Sequence, residues 1–342
     1  MKESSSPATA NLERLQRAFR DAPSVVILTH DNPDPDALAS AFALRLLLEN
    51  LCDTTVRVAF SGLIGRAENR AMVQVLGLDP EPLSTLDLGE ATSFAMVDTQ
   101  PGTGNNSWID GWPLAAVLDH HPLKFDPATV PFADVRQRYG ATATMILEYL
   151  DAAEIELPAD LATALFYAIR SETLDLGREA GDADRGAYFR LLEQADLVAV
   201  ARIQRARVPR EYFSAFHQAI ERAVIHDKIL ITDLQAVATP DIVAEIADFL
   251  LRLQGTQWSC CIGRHRNDLV ISLRTTDPFA HAGRLIRRIV AGLGTAGGHG
   301  TMAGGQVPVP DGGYDEIAAT LTRRLLAALG QDPGPGETLV RS

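Results

Sequence analysis

Three short apolar runs in this chain each end on residues that carry acids or imidazoles. Ser24-Val25-Val26-Ile27-Leu28-Thr29 leads into His30-Asp31-Asn32-Pro33-Asp34-Pro35-Asp36. Ser93 to Val97 leads into Asp98, and Leu114 to Leu118 leads into Asp119-His120-His121. Short apolar, β-branched runs of this kind are the pattern of buried strands. Between and after them lie Ala- and Leu-rich stretches of helical character, at 36–50 (DALASAFALRLLLEN) and near 66–76, 141–153, 158–169 and 183–194, with a further strand at 55–60. Strand alternating with helix predicts an α/β fold, a parallel sheet with helices on both faces. Ligands of such sheets gather beyond the carboxyl ends of the strands. The three tips are therefore expected to converge on one crevice.

The residue types at those tips point to metal chemistry. His30, Asp34 and Asp36 offer one imidazole and two carboxylates, in a loop stiffened by two prolines. Asp36 is also placed to cap a helix beginning at Ala37. Alone, this loop also reads as a polar turn with a cap, and Asp98 alone reads as a turn former. Asp119-His120-His121 is harder to explain by packing. Mixed imidazole and carboxylate donors suit manganese, zinc or iron better than calcium. A shared carboxylate can hold two divalent ions about 3.5–4 Å apart and so activate water near neutral pH.

The second half repeats the alternation in a different form. Residues 197–225 are helical and more basic, and read as a linker. Arg202, Arg205, Arg207 and Arg210 within it read as a solvated helix face rather than a nucleic-acid track. A strand at 228–237, a helix at 241–254, a hairpin-like pair at 258–264 and 268–274, a helix at 280–292, a glycine-rich stretch and a last helix near 315–329 follow. The expected division is an α/β domain at 1–196, a helical linker at 197–225, a smaller α/β domain at 226–330 and a disordered tail at 331–342.

Composition narrows the partners. A formal net charge of −13 excludes a broad surface for long duplex nucleic acid, because such binding rests on neutralising many phosphates. It leaves room for a small anionic ligand in a local pocket, where bound cations reverse the field. Three cysteines, Cys52, Cys260 and Cys261, without C-x-x-C spacing, predict reduced thiols and plain strand packing for the adjacent pair. With no apolar run of membrane length and no secretory h-region, a cytoplasmic protein without membrane contact is expected. A homodimer is compatible with the sequence.

His30-x-x-x-Asp34-x-Asp36, then Asp98, then Asp119-His120-His121 resemble the first three motifs of the DHH phosphoesterase superfamily. The candidate for its fourth motif is Ser171-Glu172-Thr173, where most members carry Asp-Thr; Asp175 is the fallback carboxylate. Gly297-Gly298-His299-Gly300, followed by Ala303-Gly304-Gly305, resembles the glycine-rich signature of the DHHA1 domain, with Ala296 in place of its first glycine. Ser272-Leu273-Arg274 is similar to the ligand-facing strand of that domain.

The resemblance implies roles for these positions. One metal would be held by His30, Asp34 and Asp98, and the other by Asp36, Asp98 and His120, with Asp98 as the bridge and Glu172 completing the set. Asp119 would orient His120, and His121 would contact the scissile phosphate. The implied cofactors are two divalent ions, foremost Mn2+, with Mg2+, Co2+ and Zn2+ as alternatives, and the implied nucleophile is a water activated by both. Arg274, Gly297, Gly298 and His299 would bind the nucleotide or its other phosphate, and the second domain would close over the substrate. Arg264 and His265 read as turn residues, and Arg178 reads equally as a neighbour of the first site or as a surface ion pair.

Within the superfamily the two-domain plan resembles the oligoribonuclease and pAp phosphatase group. That implies short single-stranded RNA or 3′-phosphoadenosine 5′-phosphate (pAp) as substrate. The alternatives are a free-standing cyclic-dinucleotide phosphodiesterase acting on cyclic di-AMP or pApA, and a non-catalytic nucleotide-binding module. An inorganic pyrophosphatase shares the first-domain motifs, but the glycine signature of the second domain counts against it.

Overall fold

The computed structural model describes residues 7–89, 91–310 and 312–340. The chain divides into two compact units, 1–206 and 207–342. The first contains α1 (Pro7–Phe19), β1 (Ser24–Leu28), α2 (Pro35–Leu51), β2 (Thr55–Phe60), α3 (Ala67–Val75), β3 (Glu81–Pro82), β4 (Thr92–Val97), β5 (Leu114–Asp119), β6 (Phe132–Val135), α4 (Thr142–Ala152), α5 (Ala159–Glu172), α6 (Asp182–Leu192) and α7 (Leu197–Gln204).

Its six strands form a wholly parallel sheet in the order β3-β2-β1-β4-β5-β6. The chain runs outward from β1 through β2 to β3, then returns to β4 on the other side of β1. That reversal opens a crevice beyond the carboxyl ends of β1 and β4. The three polar tips of the sequence all end there, after β1, β4 and β5.

Alternation along the strands sends Val25, Ile27, Val56, Val58, Ala95, Val97, Ala116 and Leu118 into one core with the helices. Helix α2 lies in the middle of this layer, packed on α4 and α5 as well as on the sheet. It is buried over most of its circumference, which explains a sequence apolar all round rather than on one stripe. The opposite face departs from the expected helix-covered layer. There Val26, Leu28, Phe94, Met96 and Val117 are covered by loop residues such as Leu83, Leu86, Trp108, Trp112 and Phe125. Trp112 stacks on Phe94 with ring centroids 4.5 Å apart, and Trp108 meets both rings edge-on. The β4–β5 and β5–β6 crossovers contain no α-helix, so aromatic loops take the place of the second helical layer.

The second unit contains α8 (Arg210–Arg222), β7 (Val224–His226), β8 (Ile229–Ala236), α9 (Asp241–Leu250), β9 (Trp258–His265), β10 (Asp268–Thr275), α10 (Ala282–Val290), β11 (Thr295–His299), β12 (Met302–Pro308), α11 (Tyr314–Ala328) and β13 (Glu337–Thr338). The sheet is mixed, in the order β11-β12-β10-β9-β8-β7-β13. Only β8 and β9 pair in parallel; every other pair is antiparallel. Helices α10 and α11 cover one face, and α8 and α9 cover part of the other. Cys260 and Cys261 are buried strand residues with free thiols.

The glycine-rich stretch forms the strand pair β11–β12. Residues 197–225 are helical, as expected, and hold two helices, α7 in the first unit and α8 in the second. One expectation changes in this region. The segment read as a disordered tail contributes β13, with Glu337 opposite Ile225 and Thr338 opposite Val224. Among the described residues, no helix is long and apolar enough to cross a membrane.

Candidate metal centre

The β1 tip owes its shape to a cap. Asp34 Oδ1 accepts from Asp36 N at 2.9 Å and Ala37 N at 3.0 Å, with Pro35 in the first turn of α2. The helix thus begins two residues before Ala37, and the cap is Asp34 rather than Asp36. Asp36 is freed to reach across to α4. Its Oδ2 accepts from Thr142 N at 2.7 Å, and its Oδ1 accepts from Ala143 N at 2.8 Å. The residue preceding α4, Ala141, has no side-chain acceptor of its own, so a distant aspartate caps this helix.

Asp98 sits at the centre. It follows β4 in a left-handed backbone conformation, φ 59°, and is 2% exposed. A non-glycine residue held there stores roughly 1–3 kcal/mol of strain, which persists where surrounding contacts over-determine it. Here Asp98 N donates to Leu118 O at 3.0 Å, and Thr142 Oγ1 donates to Asp98 Oδ1 at 2.9 Å. Its Oδ2 lies 3.7 Å from His30 Nε2; its Oδ1 lies 3.6 Å from His120 Nε2 and 3.7 Å from His121 Nδ1.

Two donor groups share this aspartate, His30–Asp34–Asp98 and Asp98–His120–His121, and within each the donor atoms lie within 4.8 Å of one another. The first contains the three residues expected for one metal. In the second, His121 joins His120 and Asp98, while Asp36 Oδ2 stands 3.9 Å from His120 Nε2. Glu172 belongs to neither group. It ends α5 and pairs with Arg178 at 3.1 Å, and Arg178 also donates to the Glu172 carbonyl. Asp175 is bound to Arg170 at 2.6 Å and to the Tyr188 hydroxyl at 3.1 Å, with more than half of its side chain in solvent.

The three histidines are oriented in two different ways. His30 Nδ1 lies 2.9 Å from the Asp31 carbonyl, and His120 Nδ1 lies 3.0 Å from the Tyr139 carbonyl. A carbonyl only accepts, so Nδ1 carries the proton in both and Nε2 is the atom available to a cation. His121 instead places Nδ1 2.8 Å from Asp119 Oδ1, which also accepts from the His121 amide at 3.1 Å. Asp119 therefore orients His121, not His120 as expected. Gln100, fully buried, donates from Nε2 to Asp119 Oδ2 at 2.7 Å and accepts from Lys124 N at 2.8 Å, which fixes this carboxylate in turn.

The electrostatics describe a centre short of positive charge. Burial, then the charge of Asp34, raises the Asp98 carboxyl well above its ordinary range against the opposing pull of His30. Burial, then Asp98, Asp34 and Glu172, does the same to Asp36. Burial works against a charged His30, but Asp34 and Asp98 outweigh it and push its pKa up to about 10. Burial likewise opposes ionisation of Asp34 and Asp119, yet His30 holds the first below its ordinary value and His121 the second. Glu172 is raised by burial and by Asp34, with Arg178 opposing. Crowded, buried carboxylates with imidazole Nε2 atoms facing them are the donor set that a divalent cation satisfies.

The second unit arranges its candidates by strand register. Ser272, Gly304 and Gly297 lie in one cross-strand row, and Arg274, Met302 and His299 lie in the next row on the same face. Beside Gly297 a Cβ would meet nothing within 4 Å, so its backbone faces open space. Gly298 points the other way, with φ 142°, and its carbonyl oxygen would lie 1.9 Å from a Cβ on Gly283 of α10. Arg274 is 7% exposed, and its guanidinium is bound to Asp248 at 2.5 Å, Ser272 Oγ at 2.8 Å and the Leu273 carbonyl at 3.1 Å. Those bonds make it a support of the platform more than a free ligand group. The His299 side chain lies outside the described residues.

Sequence reasoning missed Gln100, Tyr139 and Thr142. Gln100 and Thr142 carry no signature chemistry, and Tyr139 contributes only a carbonyl.

An uncharacterized protein of Methanocaldococcus jannaschii is 32% identical over 286 residues, covering 83% of this chain and 58% of that protein. A probable manganese-dependent inorganic pyrophosphatase of Archaeoglobus fulgidus is 26% identical over 161 residues, covering 44% of this chain and 49% of that protein. The chain thus spans about half the length of the curated relatives it matches. In fold it is similar to the crystal structure of an exopolyphosphatase-related protein from Bacteroides fragilis, with a TM-score of 0.69 and 16% identity over 92% of this chain and 95% of that one. The DHH family N-terminal domain matches residues 24–169, and the DHHA1 domain matches residues 226–326. With both domains present in that order, the chain belongs to the DHH/DHHA1 family.

Proposed function

We propose that this chain is a metal-dependent phosphoesterase that hydrolyses short oligoribonucleotides, pAp, or both. The observation that carries the reading is Asp98, buried and shared by two donor groups at the crevice where the strand order reverses. A manganese-dependent relative favours Mn2+ as the ion, with Mg2+, Co2+ and Zn2+ as alternatives. Divalent ions held there would acidify water and offset the charge that develops on a phosphoryl group.

The chain's own residues supply the remainder. His30 and His120 keep their protons on Nδ1 through backbone carbonyls, which leaves Nε2 for the cation. Asp34 and Asp98 carry the negative charge. His121 differs, because the Asp119 carboxylate beside its Nδ1 favours the imidazolium, as burial alone would not. That suits it to meet the phosphate and hand a proton to the leaving oxygen. In the second unit the bare backbone around Gly297 suits close approach of a phosphate or nucleoside. These features support enzymatic hydrolysis over a passive nucleotide-binding module, which has no need of a strained, shared aspartate.

The test is release of phosphate or mononucleotide with Mn2+ from a panel of pAp, 5′-phosphorylated di- to pentaribonucleotides, cyclic di-AMP, pApA and pyrophosphate. An Asp98→Ala/His120→Ala double variant is the blank. Turnover of pAp or short RNA that vanishes in the blank is the expected result. Turnover of cyclic di-AMP or pApA alone would move the protein to the cyclic-dinucleotide branch, and turnover of pyrophosphate alone would overturn the nucleotide reading.

A further inference from the structure

Behind His120 lies a buried charge network that the proposed reaction does not use. Arg136 makes a fork on Asp134, with Nε 2.9 Å from both carboxylate oxygens and NH2 2.6 Å from Oδ2. Its NH1 reaches Glu148 Oε2 at 2.7 Å and the Tyr139 hydroxyl at 3.1 Å. The Tyr139 hydroxyl donates to Glu148 Oε1 at 2.9 Å, and the Tyr149 hydroxyl donates to Asp134 Oδ2 at 2.6 Å. The guanidinium also lies 5.1 Å from the centre of the Tyr139 ring. The Arg136 and Asp134 side chains are each 9% exposed.

Burying three charges costs desolvation that their mutual attraction does little more than offset, so such a network is weak evidence for stability. What it fixes is position. The backbone from 136 to 139 belongs to no helix or strand and is closed by Tyr139 N donating to Arg136 O at 3.1 Å. Its start is tied to the β5 tip by Arg136 N donating to Asp119 O at 2.9 Å, and its end presents the Tyr139 carbonyl to His120 Nδ1 at 3.0 Å. Both the first and the last residue of the turn put their side chains into the network.

We infer that Arg136, Glu148 and the Tyr139 hydroxyl are positioning residues: they hold the Tyr139 carbonyl against His120 and so set the strength of the His120 donor group without touching it. The inference rests on the metal-binding reading above. It predicts asymmetry, because Asp31, whose carbonyl orients His30, is held by other groups, its N–H donating to Asn105 O at 2.7 Å and its Oδ1 accepting from Ser107 Oγ at 3.1 Å, so loss of the network should weaken one ion and spare the other. Partners that orient a ligating histidine typically change metal affinity by roughly 10–100-fold.

The experiment is a calorimetric titration of the full chain with Mn2+, resolving two sites, on the parent protein and on Tyr139→Phe, Glu148→Gln and Arg136→Lys. Tyr139→Phe keeps the ring and the backbone and is the variant least exposed to misfolding. Leu165→Ala, truncation of a buried α5 side chain that makes none of the network's hydrogen bonds, is the control for general destabilisation. The expected result is one site weakened about tenfold or more and the other within about twofold. Nitrogen-15 shifts should show His120 losing its preference for the Nδ1 proton while His30 keeps it. Arg136→Lys should not rescue, since an ammonium cannot reproduce the fork. Equal weakening of both sites, as in Leu165→Ala, or unchanged affinity in all three variants would overturn the inference. A parent protein that binds no divalent ion would instead overturn the reading beneath it.

Discussion

The two sheets present their candidate edges in opposite ways. At the tips of β1, β4 and β5 the candidate groups are side chains, charged, buried or half-buried, and crowded around Asp98. On β11 and β12 the candidate surface is bare backbone, where Gly297 and Gly304 leave the main chain exposed. The first edge suits small cations that repair an excess of negative charge. The second leaves room for a group to approach the main chain closely. One edge is therefore sensitive to charge, and the other to volume.

The largest expected effect removes the charge at the centre. Asp98→Ala should abolish binding at both donor groups and lower turnover by roughly 10⁴-fold or more, as read by metal titration and initial rates. Retention of one tight ion would mean the two groups do not share this residue.

At the other edge a single methyl should discriminate two neighbours. In Gly298→Ala the Cβ would lie 2.4 Å from Met302 O and 2.5 Å from Ala303 Cα. The second unit should lose about 3 kcal/mol. Gly297→Ala should stay within about 0.5 kcal/mol of the parent and weaken only nucleotide binding. Denaturant unfolding beside nucleotide titration separates the two, and equal destabilisation would refute the alternation of faces.

Gln100→Met tests whether the charged edge has internal divisions. It removes the donor to Asp119 while keeping length, so turnover should fall roughly tenfold with metal affinity unchanged. A matching loss of metal affinity would show that Asp119 and His121 serve the ions rather than the substrate.

Proton linkage gives a smaller effect. His30 is raised from 6.5 to about 10, so its stabilising charge is complete below pH 6.5 and is lost as pH rises through about 10. Asp36 and Asp98 are also raised, so they favour the fold when protonated and disfavour it once ionised. All three have the same sign. The metal-free protein should melt roughly 5 °C lower at pH 9 than at pH 6.5, and saturating Mn2+ should remove most of that slope. A flat profile without metal would contradict the crowding. Smallest of all, Asp175→Asn should change stability by less than about 0.5 kcal/mol and leave metal titration untouched.

What the sequence made legible was the charged edge. Apolar runs ending in Asp and His mark both strand and tip, because a buried parallel strand has to be apolar and a donor has to be one of few residue types. The order of the tips and the hairpin of β9 and β10 follow from the same patterns. The backbone contributions were hidden. That Asp36 caps α4 from 106 residues away in the chain, or that Tyr139 lends a carbonyl to His120, depends on which amides and carbonyls meet, and every residue carries those. The short strands β3, β6 and β13 are too brief for periodicity to register. The loop-covered face escaped notice because aromatic loops and helices satisfy a sheet's apolar face equally well. Arg274 and Glu172 are ligand candidates by likeness alone; in the fold Arg274 binds Asp248 and Ser272, and Glu172 pairs with Arg178 while its charge bears on Asp36 and Asp98.

The left-handed backbone at Asp98 also narrows the ways this position can change. Aspartate and asparagine are among the few side chains that tolerate φ near +60°, and β-branched or bulky residues are disfavoured there. Glycine fits the backbone but brings no ligand, and glutamate carries the charge on a longer arm. Asparagine alone keeps the shape while discarding the negative charge. A lineage that abandoned metal at this centre would therefore leave an asparagine or a glycine as its trace.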